Sequence, residues 1–309
     1  MICFDKLKII TSINNINDIN KDKFQSIYKE EILQSYKYKQ NTPYSLLILV
    51  NYTNNELVIE FSSKILKDNS NQLININNIH ECLYNINQLN ICSLNIDKII
   101  SDSDITKCDV TMDISYSDIK TLETQISTNL VNYKKWICKS YKNGFSIENV
   151  ASTPRHKIRL IIYDKKEELK KSNNTSFINS LLNPDEVLSF YEEKIRFELN
   201  INTMKQIRDF LEVKDNQLMS ILSTNANPIK TVIHKAVKEA KDITCDSDYK
   251  NYIRRLVLED CNNDLNNVEK KLRSFSSKNT SIKRLMAPYR QLYHHLQNSK
   301  DIDIITLVS

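Results

Sequence analysis

Residues 159–171 read RLIIYDKKEELKK. Side chains of a strand point alternately to its two faces, so Leu160 and Ile162 fall in one row and Arg159, Ile161 and Tyr163 in the other. Ile158 extends the apolar row. The same pattern recurs twice. In KCDVTMDIS (107–115), Val110, Met112 and Ile114 share a face, and Asp109, Thr111 and Asp113 oppose them. In KIRFELNIN (194–202), Ile195, Phe197, Leu199 and Ile201 oppose Arg196, Glu198 and Asn200. Each strand therefore offers one face to helices and a second face of carboxylates, arginines or the tyrosine. The expected class is α+β: an antiparallel-rich sheet with helices on one face and an acidic, tyrosine-bearing face on the other.

Working outward, YSLLILVNYTNNELVIEFS reads as a hairpin whose polar turn TNN separates two apolar strands. HECLYNINQL and SDIKTLETQISTNLVNY read as helices. NPDEVLSFYEE opens another, with Asn183 as cap, Pro184 in the first turn and Glu186 three residues on from the cap. TMKQIRDFLEV follows, with Thr203 and Gln206 as a second capping box. After Asn225 strand signals nearly vanish. Leu265, Val268, Leu272 and Phe275 keep a helical stripe, as do Ile282, Leu285, Met286, Tyr289, Leu292, Tyr293 and Leu296. Pro228 and Pro288 punctuate this region. The expected division is an α/β domain over residues 1–220 and a smaller all-α domain over 221–309, the final DIDIITLVS being either a returning strand or a tail.

Composition narrows the chemistry. The 309 residues contain one glycine, Gly144, so no glycine-rich phosphate cradle of the GxGxxG or GxxxxGK[ST] kind can be written. The Asn-, Ile- and Lys-rich stretches such as SINNINDINKDK still alternate with apolar residues and read as folded chain. Cys3, Cys82, Cys92, Cys108, Cys138, Cys245 and Cys261 form no C-x-x-C pair. No signal peptide and no apolar run of roughly 18 residues is read, which suggests a reduced cytoplasmic setting. The net charge is +5, but residues 225–300 carry fifteen Lys and Arg against eight Asp and Glu. That excess suits a polyanion or a solvated helix face.

If the three strands share a sheet, their polar faces meet. Crowded carboxylates are costly unless a cation or arginines neutralise them, and such oxygen ligands suit Mg²⁺ or Mn²⁺. A phenol with a pKa of about 10 needs that help to act as a nucleophile. Phosphoryl transfer on DNA is one use of such a site. Packing of the tyrosine, solvation of the aspartates and an Arg196–Glu198 ion pair remain the simpler readings of the same residues.

The order EFSSKIL, KCDVTMDI, RLIIYDKKEEL, KIRFELNI resembles the phage and plasmid rolling-circle replication initiators of the gene II/X type. It is similar, more distantly, to plasmid initiators with a Y-x-K-x-x-E signature. The resemblance covers roughly the first 220 residues. It implies a replication initiation protein that nicks one strand of its origin, leaving a phosphotyrosine–DNA adduct and a 3′-hydroxyl primer. By this resemblance Tyr163 is the nicking nucleophile, Lys165 approaches the phosphate, and Arg159 lies on the same face. Asp109, Glu168 and Glu198 lie near a Mg²⁺ or Mn²⁺ ion, with Asp113 as a further ligand from the strand reading. The partners implied are double- and single-stranded origin DNA, a host helicase and a single-strand-binding protein.

The chain departs from better-known nickases in lacking a His-hydrophobe-His metal motif. His294 and His295 are adjacent in a basic helix and point about 100° apart, poorly placed as joint ligands. His156 and Glu60 are outside candidates. In the helical region Arg254, Arg255, Lys283, Arg284 and Arg290 are expected to contact phosphates of duplex DNA, packing or homodimer formation being the alternative use of these helices. A mobilisation relaxase, a non-catalytic origin-binding protein, and a structural protein with a basic tail are the competing functions.

Overall fold

The computed structural model describes residues 2–130, 135–151, 153, 157–237, 249–275, 281–298 and 307–308. Its strands are β1 (Phe4–Ser12), β2 (Ile16–Ile19), β3 (Gln25–Lys29), β4 (Ile32–Gln40), β5 (Leu46–Asn51), β6 (Glu56–Ser62), β7 (Cys92–Leu94), β8 (Asp104–Ser115), β9 (Trp136–Tyr141), β10 (Gly144–Asn149), β11 (Arg159–Asp164) and β12 (Lys194–Ile201). Ten of them form one sheet in the order β3-β4-β5-β6-β1-β8-β12-β11-β10-β9, and β2 pairs with β7 apart from it. Every pairing is antiparallel. The three strands read from the sequence are its adjacent centre: Tyr163 pairs with Arg196 and Arg196 with Asp113, while Arg159 pairs with Asn200 and Asn200 with Asp109. Their polar faces are one surface.

The helices are α1 (Ile79–Gln88), α2 (Ile96–Asp102), α3 (Ile119–Thr128), α4 (Lys165–Leu169), α5 (Thr175–Ile178), α6 (Pro184–Phe190), α7 (Met204–Leu211), α8 (Leu218–Leu222), α9 (Pro228–Ala236), α10 (Tyr249–Asp260), α11 (Leu265–Phe275) and α12 (Ile282–Asn298). Leu160, Ile162, Phe197, Leu199 and Val110 pack with Leu83, Leu122, Ile207, Ile221 and Ile233 of the helices in the main core. A second small core, Leu169, Phe177, Leu181, Val187 and Tyr191, is built by α4–α6 and the turn after them. A third, Leu258, Cys261, Val268 and Met286, holds α10–α12 together.

Several expectations need correction. The main core does not stop near residue 220: Ile229, Val232, Ile233, Ala236 and Val237 belong to it, and so does Val308 near the C-terminus. Asn227 ties that end down, donating to the Val308 carbonyl at 2.8 Å. The Asn183 side chain makes no cap bond. Asp68 instead receives the N–H groups of Leu182 and Asn183 at 2.9 and 2.7 Å, holding the corner from another segment. The Thr203 box forms with a one-residue offset: Thr203 Oγ1 accepts from Gln206 N, and Gln206 Oε1 accepts from Asn202 N. Phe275 ends α11 exposed, outside the stripe that buries Val268. The Leu296 and His295 side chains, His156 and Cys245 lie outside the described residues; the other six cysteines are free thiols.

Candidate active site

Strand alternation places Tyr163 on the polar face, and pairing with β12 sets it beside Glu198. Its hydroxyl donates to Glu198 Oε2 at 2.9 Å. Burial pushes the phenol well above its usual range, Lys165 partly offsetting this while Glu198 adds to it. Burial also raises Glu198, and the like charges of Asp5 and Asp109 take it further, to about 7. A carboxyl that titrates near neutrality and already accepts the phenolic proton is matched to general-base work.

Lys165 follows the strand as the first residue of α4. It is buried, ion-paired to Glu168 Oε2 at 2.9 Å, and its Nζ lies 5.7 Å from the centre of the Tyr163 ring. Burial favours the neutral amine, but the surrounding Tyr163, Asp5 and Glu168 hold the ammonium above its ordinary pKa. Asp5 shows the complementary effect: burial opposes its charge, yet Lys165, Arg196 and a Ser63 hydroxyl at 3.0 Å bring it down to about 2. Lys64, from the EFSSKIL stretch, reaches Asn174 Oδ1 at 2.6 Å.

These groups line a cavity of about 420 Å³ that includes Asp5, Lys6, Lys64, Tyr141, Lys142, Gly144, Arg159, Tyr163, Lys165, Glu168, Lys171 and Glu198. Its walls carry six Lys or Arg against three Asp or Glu, an excess suited to a polyanion. All three expected catalytic residues, Tyr163, Lys165 and Arg159, face this one space.

The expected metal ligands divide. Asp113 is consumed: the fully buried Arg196 grips both its oxygens at 2.7 Å, and also reaches Asp5 at 2.8 Å and the Tyr191 hydroxyl at 3.0 Å. Arg196 thus pairs with Asp113 and Asp5, not with Glu198. Glu168 is held by Lys165 and by Asn174 at 2.8 Å. Glu60 is likewise taken by Lys6 at 2.5 Å. Asp109 and Glu198 remain, linked through the Asn200 amide, which donates to them at 2.9 and 3.1 Å. Burial raises the pKa of Asp109 as well. Among the described residues no group of three or more His, Cys, Asp or Glu converges as a cage. Mg²⁺, however, is commonly held by one or two carboxylates together with substrate phosphate, so a pair of destabilised carboxylates fits an ion of that kind.

Sequence reasoning placed Asn200 on the polar face without giving it a role, and missed Asp5, Lys64 and the neighbouring β9–β10 hairpin. There the buried Glu148 gathers Lys139 at 2.7 Å, Lys157 at 3.1 Å and Arg159 at 3.2 Å. In the C-terminal helices Lys283, Arg284 and Arg290 are exposed. Arg254 donates to Asn251 at 2.8 Å and Arg255 to Glu259 at 2.8 Å, so both have partners within α10. His294 is exposed beside Tyr293.

No protein-family model matches this chain, and neither does any curated protein sequence. No helix among the described residues is long and apolar enough to cross a membrane.

Proposed function

We propose that the chain is a metal-assisted, site-specific DNA nickase that initiates rolling-circle replication. The observation that carries this reading is the Tyr163–Glu198 hydrogen bond inside a cation-rich cavity. Tyr163 Oη attacks the scissile phosphorus as its proton passes to Glu198 Oε2. One P–O bond forms to the tyrosine, and the bond to the 3′ oxygen breaks. That oxygen takes a proton from water and leaves as the 3′-hydroxyl primer. Lys165, beneath the ring, favours charge on the phenolic oxygen, and Arg159, Lys6, Lys64, Lys142 and Lys171 offset the phosphate charge. Asp109 and Glu198 would hold Mg²⁺ or Mn²⁺, which when bound supplies Lewis-acid stabilisation of the phosphate oxygens. Arg196, with Asp5 and Asp113, keeps β12 and β8 in register beneath the site.

The setting that suits this reading is the cytoplasm, where DNA is at hand and free thiols stay reduced. The C-terminal helices would hold duplex origin DNA through Lys283, Arg284 and Arg290, or a second copy of the chain, with a host helicase and single-strand-binding protein acting after the nick.

The test uses supercoiled circles carrying the DNA that surrounds the protein's own coding sequence, with Mg²⁺ or with EDTA. The parent converts them to open circles and retains covalently bound DNA; Tyr163→Phe does neither. Equal nicking by Tyr163→Phe removes the assignment. Binding without nicking by either protein favours a non-catalytic origin-binding protein.

A further inference from the structure

Three cations converge on one buried carboxylate, that of Glu148, which is 2 % exposed. Lys139 Nζ lies 2.7 Å from Oε2 and Lys157 Nζ 3.1 Å from the same oxygen, while Arg159 Nε lies 3.2 Å from Oε1. Ser146 Oγ donates to Oε1 at 3.1 Å. Strand pairing explains the gathering. Glu148 of β10 is opposite Arg159 of β11, and Ser146 of β10 is opposite Lys139 of β9, so these polar side chains share one face across three strands. Lys157 comes from the segment that enters β11. The other face of the hairpin belongs to the core, where Phe145 and Ile147 join Leu122 and Ile126 of α3.

The charges do not balance. An unpaired buried carboxylate is costly, but one well-placed cation removes most of that cost. A second and a third cation only repel the first. Burial opposes the charge of Glu148, yet Lys139, Lys157 and Ser146 bring its pKa down to about 2. At neutral pH one negative charge therefore faces three positive ones. Both lysines are exposed, and each ammonium has donors left beyond the one that Glu148 takes. Arg159 Nη2 donates to the Tyr141 hydroxyl at 3.1 Å, which fixes the guanidinium plane. The carboxylate is a hub that holds three cationic heads together. A tetrahedral oxyanion is the ligand that such a set of donors fits.

The hub is apart from the scissile position. Glu148 is four residues along β10 from Gly144, which pairs with Tyr163. At ~3.3 Å per residue that is about 13 Å, or about four nucleotides at ~3.4 Å each along one strand. Arg159 lines the cavity around Tyr163, whereas Lys139 and Lys157 extend the positive surface beyond it.

We propose that Lys139, Lys157 and Arg159, gathered by Glu148, bind a second, non-scissile phosphodiester of the DNA strand. That the ligand is DNA rests on the nicking reading of Tyr163; that it is a phosphate group rests on the excess charge. The strand entering the cavity then runs alongside β10 and β11 and is held at two points, which sets the bond presented to Tyr163. Glu148 touches no substrate and is a positioning residue.

Binding of the full chain to a fluorescein-labelled oligothymidylate is followed by anisotropy over a salt series in EDTA. In the double variant Lys139→Ala/Lys157→Ala binding is expected to weaken, and the slope of log K against log salt to become shallower by about 0.7, the value for one single-strand phosphate. An unchanged slope overturns the site, as does a parent that fails to bind the oligonucleotide. Glu148→Gln separates a built site from a diffuse positive patch. Its net charge is higher by one, so a patch would bind DNA more tightly; without the hub the lysines disperse, and weaker binding is expected. Tighter binding overturns the site. Inorganic phosphate at constant ionic strength tells the strand from a free anion. The oligonucleotide is held at more than one point, so millimolar phosphate should leave the parent's curve in place. Displacement in the parent that is absent from the double variant assigns the site to a free anion and overturns the DNA ligand. These measurements involve neither metal nor cleavage, so this site can fail while the nicking reading stands, and the Tyr163→Phe test can fail while the binding result stands.

Discussion

Tyr163 Oη donates to Glu198 Oε2 across 2.9 Å, joining β11 to β12 at a carboxyl that titrates at about 7. Glu198 can receive a proton only when ionised. Nicking is therefore expected to rise with pH on the acid side, close to ten-fold per unit, and then to level off at a pH that bound Mg²⁺ moves below the metal-free value. Glu198→Gln removes that limb and lowers the single-turnover rate by about 10²–10⁴. A pH–rate profile of the two proteins decides; an unchanged acid limb in the variant assigns the titration elsewhere.

The same shift has a consequence for stability, of opposite direction. The folded carboxyl is raised above its unfolded value of about 4.3, so the folded state binds more protons between those pH values. Its stabilisation is complete below about pH 4 and is lost as pH rises through about 7. Glu198→Gln, which stays neutral, should gain on the parent between pH 4.5 and pH 8 by up to about 3 kcal/mol, read from urea melts at the two pH values. No change in the difference between the proteins would refute the raised pKa.

Arg196 is fully buried on Asp113 and Asp5. Removing the guanidinium leaves two carboxylates facing a desolvated space. Arg196→Met is expected to cost about 3–5 kcal/mol. Asp113→Asn in the same background should return part of that loss, because one uncompensated charge disappears. Thermal melts of the two singles and the double give the coupling, and strict additivity would show that the pair does not interact.

Lys142 and Lys171 are exposed on the cavity rim. Replacing either by Ala should weaken DNA binding and flatten the dependence of log K on log salt by about one unit each. Fluorescence anisotropy over a salt series measures this. Arg284→Ala and Arg290→Ala should lower duplex affinity while leaving single-strand affinity near the parent value; equal losses for both would place those residues on a common DNA path.

How much of this was legible depended on the regularity of each strand. KCDVTMDIS, RLIIYD and KIRFELNI alternate without interruption, so their faces could be read residue by residue, and they are adjacent as expected. β1 could not be read that way. A register shift between Phe4 and Lys6 breaks its alternation, and that irregularity accompanies the approach of Asp5 to Arg196. The β9–β10 hairpin was missed as well: β9 ends in the polar, exposed Lys139, Ser140 and Tyr141 and β10 opens on the glycine, so neither shows a clean alternation. With it went Tyr141 and Glu148.

The sequence by itself determined which side chains lie on the polar face, because a period of two leaves no freedom once a strand is recognised. It also fixed position 144 as the only residue without a Cβ. Only the tertiary structure decided which carboxylates are spent and which remain. Four acids were equal candidates in the sequence, but pairing across β8, β12 and α4 gives Asp113 to Arg196 and Glu168 to Lys165. Asp109 and Glu198 are left joined through Asn200, with no cation in direct contact among the described residues. Charge pairing depends on distance and desolvation between strands far apart in the chain, and neither is written in the order of the residues.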